Sequence, residues 1–268
     1  MDKPKNLYKY EAVSIRSLLN LKTQTLHFGA PANFNDPYDC AITASVREPT
    51  DEEIEDFRLK YSQIEELPEL TRGQLKALPR PQLKEWLVRI SQQTVTQIAE
   101  ENIRKRGVTC FSEVNDELLM WSHYAEKYTG FCLEFDTSFE PFSKVRKVIY
   151  SKSMPTLSVT DALIHNQYEQ FLELYCTKSE SWSYEREWRC IHNQAGTNWT
   201  YETDALKAVY FGPEIDAAAM EVICLILQGQ NANIKFWRGL RAKNDFSVHF
   251  RSFEYTSHLK AKEKGIIT

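Results

Sequence analysis

The sequence predicts an α+β fold on three observations. Strand-like and helix-like segments alternate only loosely, many neighbouring strand candidates suit antiparallel pairing, and residues 46–106 form a separate block of helical period. At 268 residues, with 42% hydrophobic, 26% charged and 12% aromatic side chains, the chain can bury an ordinary core. The expectation is a single domain over 1–268, with 46–106 as a helical segment inserted within it.

The elements follow in order. NLYKY at 6–10 is a short apolar-aromatic piece, and EAVSIRSLLNLKT at 11–23 is helix-like, with Val13, Ile15, Leu18, Leu19 and Leu21 crowded on one side. Leu26 and Phe28 alternate with His27 as in a strand, and Gly29, Pro31, Asn33, Asn35, Asp36 and Pro37 then make an irregular loop. The charged block 46–106 is broken at Pro68 and at Pro79/Pro81, which predicts two or three amphipathic helices, covering either a cleft or one face of a sheet.

Strands return with VTCFSE at 108–113, followed by a helix capped by Asp116 and ended by Gly130. FCLEFD (131–136) and VRKVIYS (145–151) read as strands, and 161–176 as a helix. SWSYEREWRCI and LKAVYFG are further strands, then come the helix DAAAMEVICLILQG, NIKFW and FSVHFRSFEY.

Composition excludes several classes. A formal charge of −4 argues against a large non-specific nucleic-acid surface and leaves room for a local basic groove. The six cysteines form no C-x-x-C, and five sit in apolar surroundings, so they read as reduced. The start MDKPKNLYKY has no apolar core of signal-peptide length, and no run approaches the roughly 18 apolar residues of a membrane span. A cytoplasmic protein is expected. Nine glycines supply no phosphate loop, so Rossmann and P-loop readings fail, and the histidines show no metal-ligand spacing to support a metal centre.

The stretch WSYEREWRC at 182–190 raises the main chemical question. As a strand it places Glu185, Glu187 and Arg189 on one face and Trp182, Tyr184, Arg186 and Trp188 on the other, same-face neighbours lying about 7 Å apart. Two adjacent carboxylates repel, so one titrates high or takes a nearby cation, the environment in which a general base or a hydroxyl-binding acid is made. The plainer reading puts both acids in water at a sheet edge.

Ser112 and His123 offer a nucleophile and a base, but no G-x-S-x-G elbow and no third orienting group accompany them. Trp121, Tyr124 and Tyr128 recur at helical spacing, as core residues do. In FNDPYD, Asp36 and Asp39 could bind a metal or a ribose hydroxyl, or close an Asx turn.

Taken together, LYKY at 7–10, LHFGAPANFNDPYD at 26–39, CFSE at 110–113, LLMWSHYAEKYTGFCLEFD at 118–136 and KSESWSYEREWR at 178–189 resemble the bacterial family catalogued as domain of unknown function 2971, over most of residues 7–212. A more distant resemblance is to the ADP-ribosyltransferase fold. Its split mixed or antiparallel β core carries a basic or His residue on the first strand, a Ser/Tyr strand in the middle and a late acid, often E-x-E.

Here that order is Lys9 or Tyr8, then Ser112, then Glu185-x-Glu187. The resemblance implies NAD as substrate, with Glu187 on the nicotinamide ribose and the developing oxocarbenium ion, Glu185 on the acceptor side, and Ser112 between them. It implies that Tyr8, Lys9, Phe28, Asn35, Asp36, Trp121, His123, Tyr124 and Arg189 surround the dinucleotide. The acceptor would be a macromolecule, protein or nucleic acid, with a neutralising or regulatory partner protein, in the setting of a toxin or phage-defence effector. The chain departs from the pattern in having Lys9 between tyrosines and a single serine in CFSE.

Two other classes fit the residues. One is a non-catalytic domain that binds through Trp121, His123, Tyr124, Trp182 and Trp188; the other is a metal-dependent nuclease using Asp36, Asp39 and Glu187.

Overall fold

The computed structural model describes residues 3–41, 45–157 and 169–266. The chain opens with β1 (Asn6–Glu11), α1 (Ile15–Thr23) and β2 (Thr25–Phe28). Ser14 starts α1 with a reciprocal capping box to Ser17, and Gln24, at φ 52°, ends it in the left-handed region. The helix does not reach back to Glu11, because Glu11 is held in the β1 ladder opposite Phe131. Nor is its apolar run one buried face: Ile15 and Leu19 are exposed, and Leu21 and Ser17 are buried.

After β3 (Ser45–Val46) come α2 (Asp51–Ser62), α3 (Glu69–Ala77) and α4 (Arg80–Lys105), the three helices that the prolines divide. Pro68 caps α3, and Pro81 sits in the first turn of α4, where its missing N–H has no helical partner to lose.

Next are β4 (Gly107–Ser112), α5 (Leu118–Tyr124) and β5 (Phe131–Asp136). The helix expected from Asp116 to Gly130 is thus shorter at both ends. Glu117 is its cap, and Glu126, Lys127 and Tyr128 all have positive φ, which an α-helix cannot continue through.

The run VRKVIYS splits into β6 (Arg146–Lys147) and β7 (Ile149–Ser151), which join different sheets. β8 (Thr156–Leu157), α6 (Glu169–Leu174) and β9 (Thr177–Ser179) follow; the start of the helix expected over 161–176 lies outside the described residues. The chain closes with β10 (Glu187–His192), β11 (Thr197–Thr200), β12 (Leu206–Phe211), α7 (Ala217–Gln228), β13 (Lys235–Arg241), β14 (Val248–Phe253) and α8 (His258–Glu263).

The chain divides into two compact units: Met1–Gly29 with Gly107–Val148 and Ser181–Thr268, and Ala30–Arg106 with Ile149–Glu180. The first contains a mixed eight-stranded sheet in the order β14-β13-β12-β5-β1-β4-β10-β6. Its pairs are antiparallel except β12–β13, whose parallel pairing is made possible by the α7 crossover.

One face is apolar: Leu7, Phe111, Leu133, Phe135, Trp188, Val209, Phe211 and Phe236 pack with Leu21 of α1, Phe28 of β2, and Ile223 and Leu227 of α7. The other carries Tyr10, Cys132 and Tyr210 under Met120 and Trp121 of α5.

In the second unit α2, α3 and α4 share a core of Ile54, Phe57, Leu75, Leu83 and Leu87. Arg58 closes the end of α3 by donating to the carbonyls of Leu75, Lys76 and Leu78. Among the described residues no helix is long and apolar enough to cross a membrane. None of the six cysteines, all of them described, forms a disulfide.

Candidate functional site

The register of the large sheet assembles the site. Tyr8 of β1 pairs with Ser112 of β4, Ser112 pairs with Glu187 of β10, and on the other side Tyr8 pairs with Glu134 of β5. Directly opposed residues point to the same face, so Glu134, Tyr8, Ser112 and Glu187 form one row across four adjacent strands. Arg189, two residues on from Glu187, shares that face, and Trp188 turns into the core.

Both acids of E-x-E are buried, Glu185 at 2% and Glu187 at 4% exposure, which overturns the reading that they face water at a sheet edge. They do not share a strand. Glu185 ends a 3-10 turn (Glu180–Glu185), and Arg186, at φ 45°, swings the chain from that turn into β10. The predicted strand therefore begins later than WSYE, because a left-handed residue cannot sit inside a regular ladder.

Arg189 is wholly buried and grips Glu187 as a fork, Nε to Oε1 at 2.7 Å and Nη2 to Oε2 at 2.8 Å. This is the nearby cation that a buried carboxylate requires. The Tyr124 hydroxyl donates to Glu185 Oε1 at 2.6 Å. Ser112 Oγ donates to the Glu185 carbonyl at 2.7 Å and accepts from Val114 N at 3.2 Å, so its hydroxyl ties β4 to the turn before β10.

The remaining expected residues divide by face and by unit. Lys9 lies on the opposite face from Tyr8, its Nζ 3.4 Å from Glu11 Oε1 and 5.8 Å from the centre of the Phe111 ring. Phe28 belongs to the apolar core. Trp121 is buried, its Nε1 donating to Asn115 O and its ring meeting Tyr10 edge-on at 5.2 Å. His123 is exposed, its ring 6.5 Å from that of Tyr184.

Asn35, Asp36 and Asp39 belong to the second unit. There Asp36 Oδ1 accepts from Tyr38 N, an Asx turn, and Asp39 forms a buried ion pair with Lys178 at 3.2 Å. Among the described residues no group of three or more His, Cys, Asp or Glu could hold a metal ion.

One member of the row was missed by reading the sequence. Glu134 accepts from Asn6 Nδ2 at 2.6 Å and from the Tyr210 hydroxyl at 2.7 Å. Its signal was an acid inside FCLEFD between the inward-facing Leu133 and Phe135. Burial, with Glu134 the next cause, pushes the Tyr8 hydroxyl up to about 12. Burial likewise holds the Cys132 thiol well above its usual range, which keeps it from acting as a thiolate nucleophile at neutral pH.

Compared with known proteins, the chain matches no curated protein and no solved structure. Residues 120–190, which carry Tyr124, Glu134, Glu185, Glu187 and Arg189, match the family model described as Protein of unknown function (DUF2971).

Proposed function

We propose that the chain is an ADP-ribosyltransferase-like enzyme that cleaves the nicotinamide–ribose bond of NAD and passes ADP-ribose to a macromolecular acceptor. The observation that carries this reading is the row Tyr8–Ser112–Glu187 on adjacent strands, because the resemblance expects first-strand, serine and late-acid residues to meet. Tyr8 takes the first-strand place, since Lys9 points away.

The residues fit a dinucleotide's ribose. Tyr8 is half-buried and its hydroxyl has no hydrogen-bond partner among the described residues, and the Glu187 carboxylate lies in the same row of the sheet face. In the reaction the C1′–N bond breaks, its electron pair leaves with neutral nicotinamide, and an acceptor nucleophile bonds to C1′. Glu187 and Glu185 supply the negative field beside the positive charge that develops there. The proposed setting is that of a bacterial effector.

Purified protein incubated with labelled NAD and lysate tests the reading. Label transfer or nicotinamide release is expected, and both should fall at least a hundredfold in Glu187→Gln and fall measurably in Tyr8→Phe. No turnover by the folded wild-type chain would sink it.

A second reading draws on the same geometry: Glu187 is charge-paired and Ser112 donates to a main-chain carbonyl, as in a binding domain whose polar row is structural. That reading expects no turnover, together with ligand binding on the aromatic surface around Tyr124 and Tyr184.

A further inference from the structure

Glu134 differs from Glu187 in its electrostatic surroundings. It is half-buried, and each oxygen holds one neutral donor, Asn6 Nδ2 on Oε1 and the Tyr210 hydroxyl on Oε2. No Lys or Arg among the described residues forms an ion pair with it, whereas Glu187 is held by Arg189. A carboxylate offers about four lone-pair positions, so each Glu134 oxygen keeps one in reserve.

The surroundings are aromatic. The Tyr8 ring meets the Tyr210 ring edge-on at 6.0 Å, and Tyr210 stacks on Trp237 at 5.9 Å and 12°. The Trp237 Nε1 is buried with no hydrogen-bond partner. The negative charge is felt by both phenols: after burial, Glu134 is the next cause raising Tyr8 to about 12 and the hydrogen bond to Glu134 the next cause raising Tyr210.

We propose that Glu134, with Tyr8, Tyr210 and Trp237, forms a binding subsite for an organic cation bearing N–H groups, and that a guanidinium fits it best. A fixed, half-buried anion without a counter-ion gains more from a ligand cation than one already paired does. The flat fork of a guanidinium matches the one remaining lone pair on each oxygen.

A divalent metal ion fits less well, because it seeks several hard oxygen ligands and the two donors already on Glu134 are N–H and O–H groups. The subsite stands apart from the transfer reading, because occupying it requires no dinucleotide.

Calorimetric titration of the full chain at low salt with N-acetylarginine N-methylamide, without NAD, tests the proposal. Saturable one-to-one binding is expected, at least tenfold tighter than for the neutral citrulline counterpart. Glu134→Gln, checked for folding by its melting curve, should weaken the arginine probe at least tenfold, and Glu254→Gln, an exposed acid, should leave it unchanged. The citrulline comparison uses the wild-type chain and so does not depend on the variant folding. Equal affinity for the two probes, no saturable binding, or undiminished affinity in folded Glu134→Gln would each overturn it.

Discussion

Arg189 and Glu187, two residues apart on β10, are joined by two hydrogen bonds at 2.7 and 2.8 Å in a site where the arginine side chain has no exposure. Charges buried in this way depend on each other, because removing one leaves the other less well compensated in a low-dielectric interior. Arg189→Met should therefore destabilise the chain by about 3–5 kcal/mol. Replacing both, Glu187→Met with Arg189→Leu, should cost less than the sum of the single changes. Denaturant unfolding of the four proteins as a cycle gives the coupling, and strict additivity would show that the pair is not a unit.

Ser112→Ala removes the donor to the Glu185 carbonyl and the acceptor for Val114 N–H. A loss of about 1–3 kcal/mol is expected from the buried groups left unmatched. Hydrogen exchange should show faster opening at Val114, and an unchanged rate there would mean that water replaces the hydroxyl.

Gly212 approaches the neighbouring turn so closely that a Cβ would collide with the Tyr128 carbonyl oxygen, whereas at Gly29 nothing lies within 4 Å. Gly212→Ala should cost about 2–3 kcal/mol or more, because backbone must move. Gly29→Ala should change stability by about 0.5 kcal/mol or less. Thermal melts compare them directly, and similar shifts would contradict the close approach.

In the second unit, Arg47 beside Glu53 holds its carboxyl at about 2, assisted by the Thr50 cap and opposed by burial. A depressed folded pKa means that the unfolded chain binds the proton more readily. The stabilisation is complete above the unfolded value of about 4.3 and is lost as pH falls from there through about 2. Glu53→Gln should lower stability at pH 7 by about 0.5–1 kcal/mol and flatten the pH dependence between about 4.3 and 2. An acid limb unchanged by the substitution would exclude this role.

The sequence exposed what depends on local pattern and hid what depends on pairing. Proline positions predicted two or three helices over 46–106 and the breaks between the three that form, since a proline disrupts a helix whatever surrounds it. Period two placed Glu187 with Arg189 on one face and Trp188 on the other, and that other face proves to be the core. It misplaced Glu185, because Arg186 adopts a left-handed backbone that a non-glycine residue does not announce.

Lys9 drew attention as the charged residue of LYKY, yet alternation along β1 gives the shared face to Tyr8. Glu134 stayed hidden because its significance comes from Asn6 and Tyr210, distant in the chain and brought near only by the order of strands.

That order also sets when the site can exist. Its row joins positions 8, 112, 134 and 187, so a chain still being synthesised holds three of the four members and lacks the acid opposite Ser112 until β10 has been made. Pairings this far apart in sequence also form late and slowly, because loop closure precedes the contacts that compensate for it. The row is therefore complete only once β10 has been made and paired with β4.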